Sequence, residues 1–504
     1  MNYLLRGKGL RTLPGLMLMV ALAIPIAGCN TDKLVRVDDP SGVTPEGFNN
    51  PSAIPAVVAG AYRQFVGGYD GFGDDAFLSS SAVLTDEFYY GDTFTTRNAA
   101  DHRNLQPTVL GNISDAAYSR LQQARTNARR AFATVTGAST AETATADDAT
   151  KAQLRTIEAY TYVTLSEGWC GDVPFSMLPD TGAIDPTLIQ YGRGLTTLEM
   201  NDTAIARYNQ ALALNPANNL TAVGEGRALL NEGRYAEAAA LVQNVPTTYV
   251  FLIEHSVNQA AENNPSFALQ DNGRYGVSNL EGGLTSTGAA LRPDLATPPL
   301  TAPSAEGLPF RGLRDPRVPW QPRSSTFCFS SSVRCFIDNN YPTLDADVPL
   351  ASGVEARLIE AEAALQADQP DVMLAKLNAL RASVIPLLAA LYPSQKQTFR
   401  DASGAIVLAP LTDPITLTMT AAEMFAARRD LLFRERALWL YNTGHRIGDL
   451  RRLVRNYGLP SNQVFPSGLH FRGGSYGNDV AYPVPFNEQN NPQFVPAACI
   501  TTTA

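Results

Sequence analysis

The chain has 504 residues, of which 45% are hydrophobic, and a formal net charge of −9. This length suffices for two or three average domains, or for one large helical array with an irregular part. The acidic balance argues against a nucleic-acid-binding protein, because such proteins need a cationic surface.

The chain begins with a segment typical of an exported lipoprotein. Three basic residues precede an apolar run from Leu13 to Ala27, which two prolines interrupt and which is too short for a comfortable membrane span. The run ends in Ile26-Ala27-Gly28-Cys29, a lipoprotein processing box in which small residues precede the cysteine that takes a diacylglyceryl group. We expect residues 1–28 to be a signal peptide and Cys29 to be the lipid anchor. The alternative is an ordinary secreted cysteine after a plain cleavage site.

Four cysteines are left once Cys29 is lipidated, and an exported chain can pair them. Cys328 and Cys335 would close a short loop and form the preferred pair, which leaves Cys170 with Cys499. Acyl chains on Cys29 would keep the mature protein on a membrane. Residues 29–48 lack any sustained periodicity and are expected to be a tether, so that residues 49–504 form the folded body.

Helical spacing of apolar residues predicts an amphipathic helix over Pro51 to Val66. A glycine- and aromatic-rich loop follows it. Aromatic side chains in such a loop either pack onto the core or form a platform on which sugars stack, and the sequence leaves both readings open. By the stacking argument, the ligand-binding candidates are Tyr69, Phe72, Tyr89, Tyr90 and Trp320.

Two further helices are expected over Ile113 to Ala133 and Lys151 to Leu165, with a small-residue, acidic surface loop between them. The stretch from Ala204 to Pro246 then carries a tetratricopeptide-like pattern of aromatic, small and proline residues that holds across two units of 34 residues. Small residues let paired helices approach closely, and such pairs must stack to bury their apolar faces. An ordinary helical hairpin with chance glycines is the alternative. The pattern consists of Tyr208, Ala211, Leu212, Pro216, Gly226, Gly233, Tyr235 and Ala238.

Residues 263–350 are rich in Pro, Gly and Ser and almost free of helical period, which is typical of binding loops or short irregular strands. Helical patterns return in a hairpin over Ala356 to Ala382 and in a helix over Ala421 to Leu440, followed by a shorter helix after Gly444. The fold class is therefore mainly α, a tetratricopeptide-like array of helical hairpins over about 51–262 and 351–456 with a loop-rich insertion over about 263–350.

The helix over Ala421 to Leu440 places Arg428, Arg429, Arg434 and Arg436 on its outer face. The arginines either form a site for an anionic ligand or lie on a solvated face and pair with carboxylates such as Glu435 and Asp449.

Motifs for catalysis and metal binding are weak. Residues 473–477 match G-x-S-x-G, but no apolar strand precedes them and no histidine lies downstream to act as a base. The four histidines lack zinc-site spacing. Asp345 and Asp347 fit either a calcium site or a surface loop, and paired acids such as Asp86-Glu87 suit a glycosidase only at the right separation in space. We therefore expect no enzyme activity, no catalytic residues, no cofactor and no metal.

Several blocks occur in an order that resembles the SusD/RagB family of outer-membrane nutrient-binding lipoproteins, and the resemblance spans most of the mature sequence. Gly444-His445-Arg446 departs from the family's more typical aromatic run. The blocks are Cys29 after its leader, Ile157-Glu158-Ala159-Tyr160 running to Gly171-Asp172-Val173-Pro174, Leu313-Arg314-Asp315-Pro316-Arg317, Arg357-Leu358-Ile359-Glu360-Ala361-Glu362-Ala363 with Leu377-Asn378-Ala379-Leu380-Arg381, Ala427-Arg428-Arg429-Asp430-Leu431-Leu432-Phe433-Arg434-Glu435 with Gly448-Asp449-Leu450-Arg451-Arg452, and Tyr482-Pro483-Val484-Pro485 with Glu488 and Asn491-Pro492.

The resemblance implies a helical body that docks on the outer face of a SusC-like TonB-dependent transporter and delivers a glycan, oligosaccharide or peptide to it. The protein would then be lipid-anchored in the outer membrane and face the cell exterior. A tetratricopeptide scaffold lipoprotein that recruits envelope proteins is the second hypothesis, and a lipid-anchored glycoside hydrolase is the third.

Overall fold

The computed structural model describes residues 54–71, 75–105, 111–137, 147–179, 186–282, 284, 287–295 and 307–504. The signal peptide, Cys29 and the tether expected from the sequence lie outside these residues. Helices account for most of the first half of the described chain. They are α1 (Ile54–Tyr69), α2 (Phe77–Leu84), α3 (Thr95–Asp101), α4 (Asp115–Gly137), α5 (Asp148–Gly168), α6 (Thr197–Leu214), α7 (Asn219–Asn231) and α8 (Tyr235–Val242).

The second half contains the irregular insertion and the other helices. They are α9 (Pro265–Asp271), α10 (Gly353–Gln366), α11 (Pro370–Ala382), α12 (Val384–Leu391), α13 (Ala421–Trp439), α14 (Arg446–Arg455) and α15 (Ser461–Val464).

The strands are short and pair antiparallel in twos: β1 with β5, β2 with β3, β4 with β8, and β6 with β7. They are β1 (Phe88–Tyr90), β2 (Val173–Pro174), β3 (Gly194–Leu195), β4 (Val250–Ile253), β5 (Tyr275–Val277), β6 (Trp320–Phe327), β7 (Arg334–Asp338) and β8 (Val348–Ser352). The mainly helical fold class with a short-strand insertion is confirmed.

Consecutive helices pack as pairs, as the tetratricopeptide-like pattern predicts. Helix α4 packs on α1 and α5, α6 on α5 and α7, and α8 on α7 and α10. Gly226 shows why the pattern needs small residues, since a Cβ there would lie 2.7 Å from Val242 and 3.2 Å from Ile359. Gly233, with φ of +74°, allows the tight turn between α7 and α8.

Local sequence explains where several helices begin. Thr196 and Glu199 form a capping box at the start of α6, and Thr420 and Glu423 form another at the start of α13. In each box the threonine side chain accepts from the N–H of the glutamate, whose carboxylate accepts from the N–H of the threonine. The short helices α2, α3, α9, α12 and α15 were not predicted from the sequence, and α9 lies in the insertion that was expected to be almost free of helix.

Three arginines of α13 pair with carboxylates, which is one of the two alternatives that the sequence left open. Arg436 was expected on the outer face, but it is 1% exposed and donates to Asp449 at 2.7 and 2.8 Å. Arg428 pairs with Asp413 and Arg429 with Asp430. Because Arg436 is buried and paired with Asp449, it belongs to a structural ion pair and cannot be part of a surface site for an anionic ligand.

Both expected cysteine pairs are disulfides in the structure. Cys328–Cys335 closes a loop over a sequence separation of 7 residues, and Cys170–Cys499 joins positions 329 residues apart.

In the described part of the chain, no single helix is long and apolar enough to cross a membrane. Helices α11 and α12 together have the length and the apolar composition of a span, but the chain bends by 74° between them.

Candidate functional site

The structure buries most of the aromatic residues that the sequence suggested as ligand contacts. Tyr69, Tyr89 and Tyr90 are each 0% exposed. The hydroxyl of Tyr69 donates to the Thr443 carbonyl at 2.7 Å, and that of Tyr89 donates to the Arg334 carbonyl at 2.6 Å. The prediction that these three rings contact a ligand is therefore wrong: they complete the core, and a sugar cannot stack on them.

The other two predicted ligand contacts are Trp320 and Phe72, and neither is a fully buried residue of the described chain. Trp320 is partly exposed at the start of β6, where its indole N–H donates to the Arg311 carbonyl at 3.2 Å and its ring meets Phe336 and Phe399 edge-on. These contacts hold one side of the ring, and its role as a ligand contact stays a prediction. Phe72 lies outside the described residues.

Two other phenylalanines form an exposed aromatic surface. Phe94 is 54% exposed and Phe329 is 58% exposed. The guanidinium carbon of Arg274 lies 5.4 Å from the centre of the Phe94 ring and 4.5 Å from that of Phe329. Arg97 and Arg472 complete this surface, which we call the Phe94–Phe329 patch and define by Phe94, Arg97, Arg274, Phe329 and Arg472.

The patch forms at one end of the β1–β5 pair. Tyr90, the last residue of β1, pairs with Tyr275, the first residue of β5. The segment that leaves β1 carries Phe94, and the residue before β5 is Arg274. Antiparallel pairing therefore brings these two segments together at the same end of the sheet.

The hairpin closed by the Cys328–Cys335 disulfide brings Phe329 to this end of the sheet. The N–H of Phe329 donates to the Gly273 carbonyl and that of Ser330 donates to the Gly91 carbonyl, both at 2.9 Å. A Cβ on Gly91 would lie 2.3 Å from the Cys328 sulfur, and Gly273 has φ of +70°. Glycine is needed at both positions because the hairpin passes so close to the backbone.

Two of the arginines share the buried carboxylate of Asp92. Asp92 is 0% exposed, and its Oδ2 accepts from Arg274 at 2.5 Å and from Arg97 at 3.4 Å. Arg97 also pairs with Asp75 at 2.8 Å. Burial lowers the pKa of Arg97, but Tyr275 and Asp75 raise it, and its pKa lies above the usual value. The guanidinium is thus a permanent cation.

Arg472 reaches the same point from the C-terminal part of the chain. Its Nη1 donates to the carbonyls of Asp92 at 2.7 Å and Tyr90 at 3.3 Å, and its guanidinium lies 5.2 Å from the centre of the Tyr90 ring. Gly473 and Gly474, with φ of +99° and +78°, form the turn that follows. The first two residues of the G-x-S-x-G match therefore shape a turn next to Arg472.

Asp101, His102 and His470 form a cluster that supports this turn. One carboxylate oxygen and one nitrogen from each histidine ring lie within 4.8 Å of one another. His470 Nε2 lies 2.9 Å from Asp101 Oδ2, and its Nδ1 accepts from the Arg472 N–H at 3.2 Å. The ring nitrogens of His102 lie 2.9 and 3.1 Å from the carbonyls of Asn98 and Gly473. Each ring nitrogen has a protein partner, so the arrangement fits a structural role that orients Arg472.

Sequence reasoning missed every residue of the patch. One signal was present: Phe327 and Phe329 flank Cys328, so that an aromatic pair sits in a loop expected to be closed by a disulfide. Nothing local indicated Arg274 or Arg472, because their positions depend on contacts across the chain.

A groove between α8, α10 and α11 is a second candidate site. It has a volume of about 680 Å³ and is lined mostly by small apolar side chains, with Arg234, Glu237, Glu360 and Lys376 also on its lining. These charged residues pair with one another, Arg234 with Glu237 and Lys376 with Glu360. Its small apolar lining includes Ala239, Ala240, Ala363, Ala364 and Val372.

No protein-family model and no curated protein sequence matches the chain. Solved structures do match. Surface glycan-binding protein A from Bacteroides uniformis is 13% identical with a TM-score of 0.54, over 89% of this chain and 100% of that one. A laminarin-binding SusD-like protein is 16% identical with a TM-score of 0.53, over 88% and 98%. A SusD superfamily protein from Bacteroides vulgatus is 13% identical with a TM-score of 0.54, over 89% and 99%.

At identities this low, the structural match establishes a common fold but not a common ligand. The match nevertheless extends over most of the chain and nearly the whole of each solved structure. It also agrees with the helical pairs and the short two-stranded sheets described above. The protein therefore has the SusD/RagB fold.

Proposed function

We propose that the protein is a cell-surface glycan-binding protein that delivers its ligand to a SusC-like TonB-dependent outer-membrane transporter. The observation that carries the proposal is the Phe94–Phe329 patch, where two exposed rings flank a guanidinium. Apolar faces of sugar rings stack on aromatic rings, and exposed aromatic clusters mark binding surfaces. Structures of the same fold include proteins named for binding laminarin and surface glycans.

Membrane attachment belongs to the same proposal. Residues 1–28 would be removed as a signal peptide, acyl chains on Cys29 would hold the protein on the outer membrane, and residues 29–48 would tether the body. A tether raises the effective concentration of the binder beside its transporter, so modest affinity for the glycan suffices. The protein would bind and deliver its ligand without a catalytic step.

The patch is tested by removing its two rings together. We expect Phe94→Ala/Phe329→Ala to weaken glycan retention in native affinity gels about tenfold or more. A contact to an aromatic ring is worth about 0.5–1.5 kcal/mol beyond the area it buries, the variant removes two rings, and about 1.4 kcal/mol is a factor of ten. Phe486 is 37% exposed and lies outside the patch, so Phe486→Ala is the matched control and should bind as the wild type does. Equal retention by the double variant and the control would contradict glycan binding at the patch.

The scaffold hypothesis is favoured by a different observation, the groove between α8, α10 and α11. Co-purification of the native lipoprotein from outer membranes separates the two hypotheses. A TonB-dependent barrel that stays bound to an Ala364→Trp variant supports delivery of a nutrient. Loss of every membrane partner on filling the groove with that tryptophan supports the scaffold.

A further inference from the structure

Three guanidinium groups converge on one buried residue in the Phe94–Phe329 patch. Arg97 and Arg274 donate to the carboxylate of Asp92, and Arg472 donates to its carbonyl. Arg97 comes from the segment after β1, Arg274 from the residue before β5, and Arg472 from the turn after His470. Gathering like charges costs free energy unless opposite charges balance them.

Two of the three guanidinium groups of the patch have a direct carboxylate partner among the described residues. Asp75 neutralises Arg97 and Asp92 neutralises Arg274. Among the residues that the structure describes, the side-chain hydrogen bonds of Arg472 go to backbone carbonyls, and no carboxylate forms an ion pair with it. The guanidinium of Arg472 therefore lies beside the exposed rings without a direct carboxylate partner. Asp101, the carboxylate of the neighbouring cluster, accepts from the Tyr90 N–H and contacts His470 instead.

The remaining donors point to the chemistry of the ligand. Arg274 uses Nη1 for Asp92, and its side chain is 24% exposed. Arg472 uses Nη1 for the two carbonyls and is partly exposed. Each guanidinium carries further N–H groups in a planar fork, which matches the oxygens of a carboxylate or sulfate. A neutral sugar offers no anionic oxygens to these N–H groups.

We propose that the Phe94–Phe329 patch selects acidic saccharides, whose carboxylate or sulfate group pairs with Arg472 and Arg274 while a sugar ring stacks on Phe94 or Phe329. This inference rests on the proposed glycan-binding function and names the class of glycan. Pairing at a partly exposed site weakens as salt is added, because ions screen it.

The test uses the full-length mature protein and a mixed plant and animal glycan pool that anion exchange separates into acidic and neutral fractions. We expect the acidic fraction to be retained at least tenfold more strongly than the neutral one. Arg472→Gln should reduce retention of the acidic fraction about tenfold, and Arg472→Lys should reduce it less because the charge stays while the fork is lost. Arg400→Gln, at an exposed site outside the patch, is the control for net charge and should leave retention unchanged.

The two acidic groups are distinguished chemically. Reduction of the carboxyl groups in the acidic fraction abolishes retention if a carboxylate is recognised, and desulfation abolishes it if a sulfate is recognised. Either result supports the proposal. Equal retention of acidic and neutral fractions, or an Arg472→Gln variant with wild-type retention and an unchanged melting temperature, would overturn it.

Failure of the proposed function has a separate outcome. Retention of the neutral fraction alone, with loss in Phe94→Ala/Phe329→Ala, overturns the acidic preference and leaves glycan binding intact. Retention of neither fraction by the wild type overturns both.

Discussion

Glu87 is a carboxyl group that the fold removes from water. It is 1% exposed, its Oε1 accepts from the Asn442 N–H at 2.8 Å, and no described residue bonds its Oε2. Burial raises the pKa of Glu87 to about 8. Burial also raises the pKa of the nearby Asp338, to about 7. Both groups therefore hold protons in the folded protein at a pH where the unfolded chain has lost them.

The first prediction concerns the pH dependence of stability. Because these folded-state pKa values lie above the unfolded ones, the free energy of unfolding should fall as pH rises from about 5 to about 8, by up to about 1.4 kcal/mol per pH unit for each proton. Glu87→Gln keeps the shape and removes one titration, so its urea midpoint should fall less steeply between pH 5 and pH 9. An identical pH slope in the variant would contradict the buried, protonated state.

Gly91 gives a second test at the scale of one residue. An added Cβ would meet the Cys328 sulfur at 2.3 Å, and a disulfide cannot easily move away. We expect Gly91→Ala to lower the free energy of unfolding by about 1–3 kcal/mol and to weaken glycan retention as Phe329 shifts. Gly60 in α1 has no atom within 4 Å of such a Cβ, so Gly60→Ala should instead stabilise by about 0.5–1 kcal/mol. Urea unfolding compares the two, and equal effects would refute the close approach at Gly91.

At the scale of elements, the two disulfides have different expected effects. Cys328–Cys335 closes a short hairpin that carries Phe329, whereas Cys170–Cys499 constrains most of the chain. A chain-entropy estimate assigns about 2 kcal/mol to the short loop and about 6 kcal/mol to the long one. Stability should therefore depend mainly on the long link and ligand binding mainly on the short one.

The third prediction compares paired Ser variants of the two disulfides. Cys328→Ser/Cys335→Ser should lose most glycan retention with a small fall in melting temperature, because the hairpin loosens. Cys170→Ser/Cys499→Ser should lose far more thermal stability and keep its retention at temperatures where it stays folded. The reverse pattern, in affinity gels and thermal melts, would show that the hairpin does not position the patch.

The longer helices could be predicted from local sequence, and most of the short elements could not. The helix expected over Lys151 to Leu165 is α5, and the hairpin expected over Ala356 to Ala382 is formed by α10 and α11, with Pro370 as the first residue of α11. Apolar periodicity and proline act locally, which explains this success. The eight-residue helix α2 is buried on every side and has no amphipathic pattern, so its sequence resembled an apolar turn.

The Phe94–Phe329 patch could not be predicted from the sequence for a related reason. Its parts come from residues near 94, 274, 329 and 472, and only the β1–β5 pairing and the hairpin contacts bring them together. Composition predicted aromatic candidates, but burial decides which rings a ligand can touch. The most aromatic stretch, Phe88-Tyr89-Tyr90, became a buried strand because it pairs with β5 inside the body.

At the scale of the whole molecule, buried ion pairs join helices that are far apart in sequence. Glu362 of α10 is 0% exposed and accepts from Arg452 of α14 at 2.9 and 3.1 Å. Arg452 also donates to Asp449 and to Asn231 of α7. The network therefore connects the helical pairs of the first half of the chain with those of the second half.

The last prediction tests this connection. Glu362→Gln leaves the buried Arg452 and Arg436 to share the single carboxylate of Asp449, and an uncompensated buried charge typically costs about 3–5 kcal/mol. Glu237 pairs with Arg234 on the surface, where the side chains are 60% and 40% exposed, so Glu237→Gln should change the free energy of unfolding far less. Urea unfolding of both variants measures the difference. Losses of similar size would mean that the interior network adds nothing beyond an exposed pair, and apolar packing alone would then hold the two halves together.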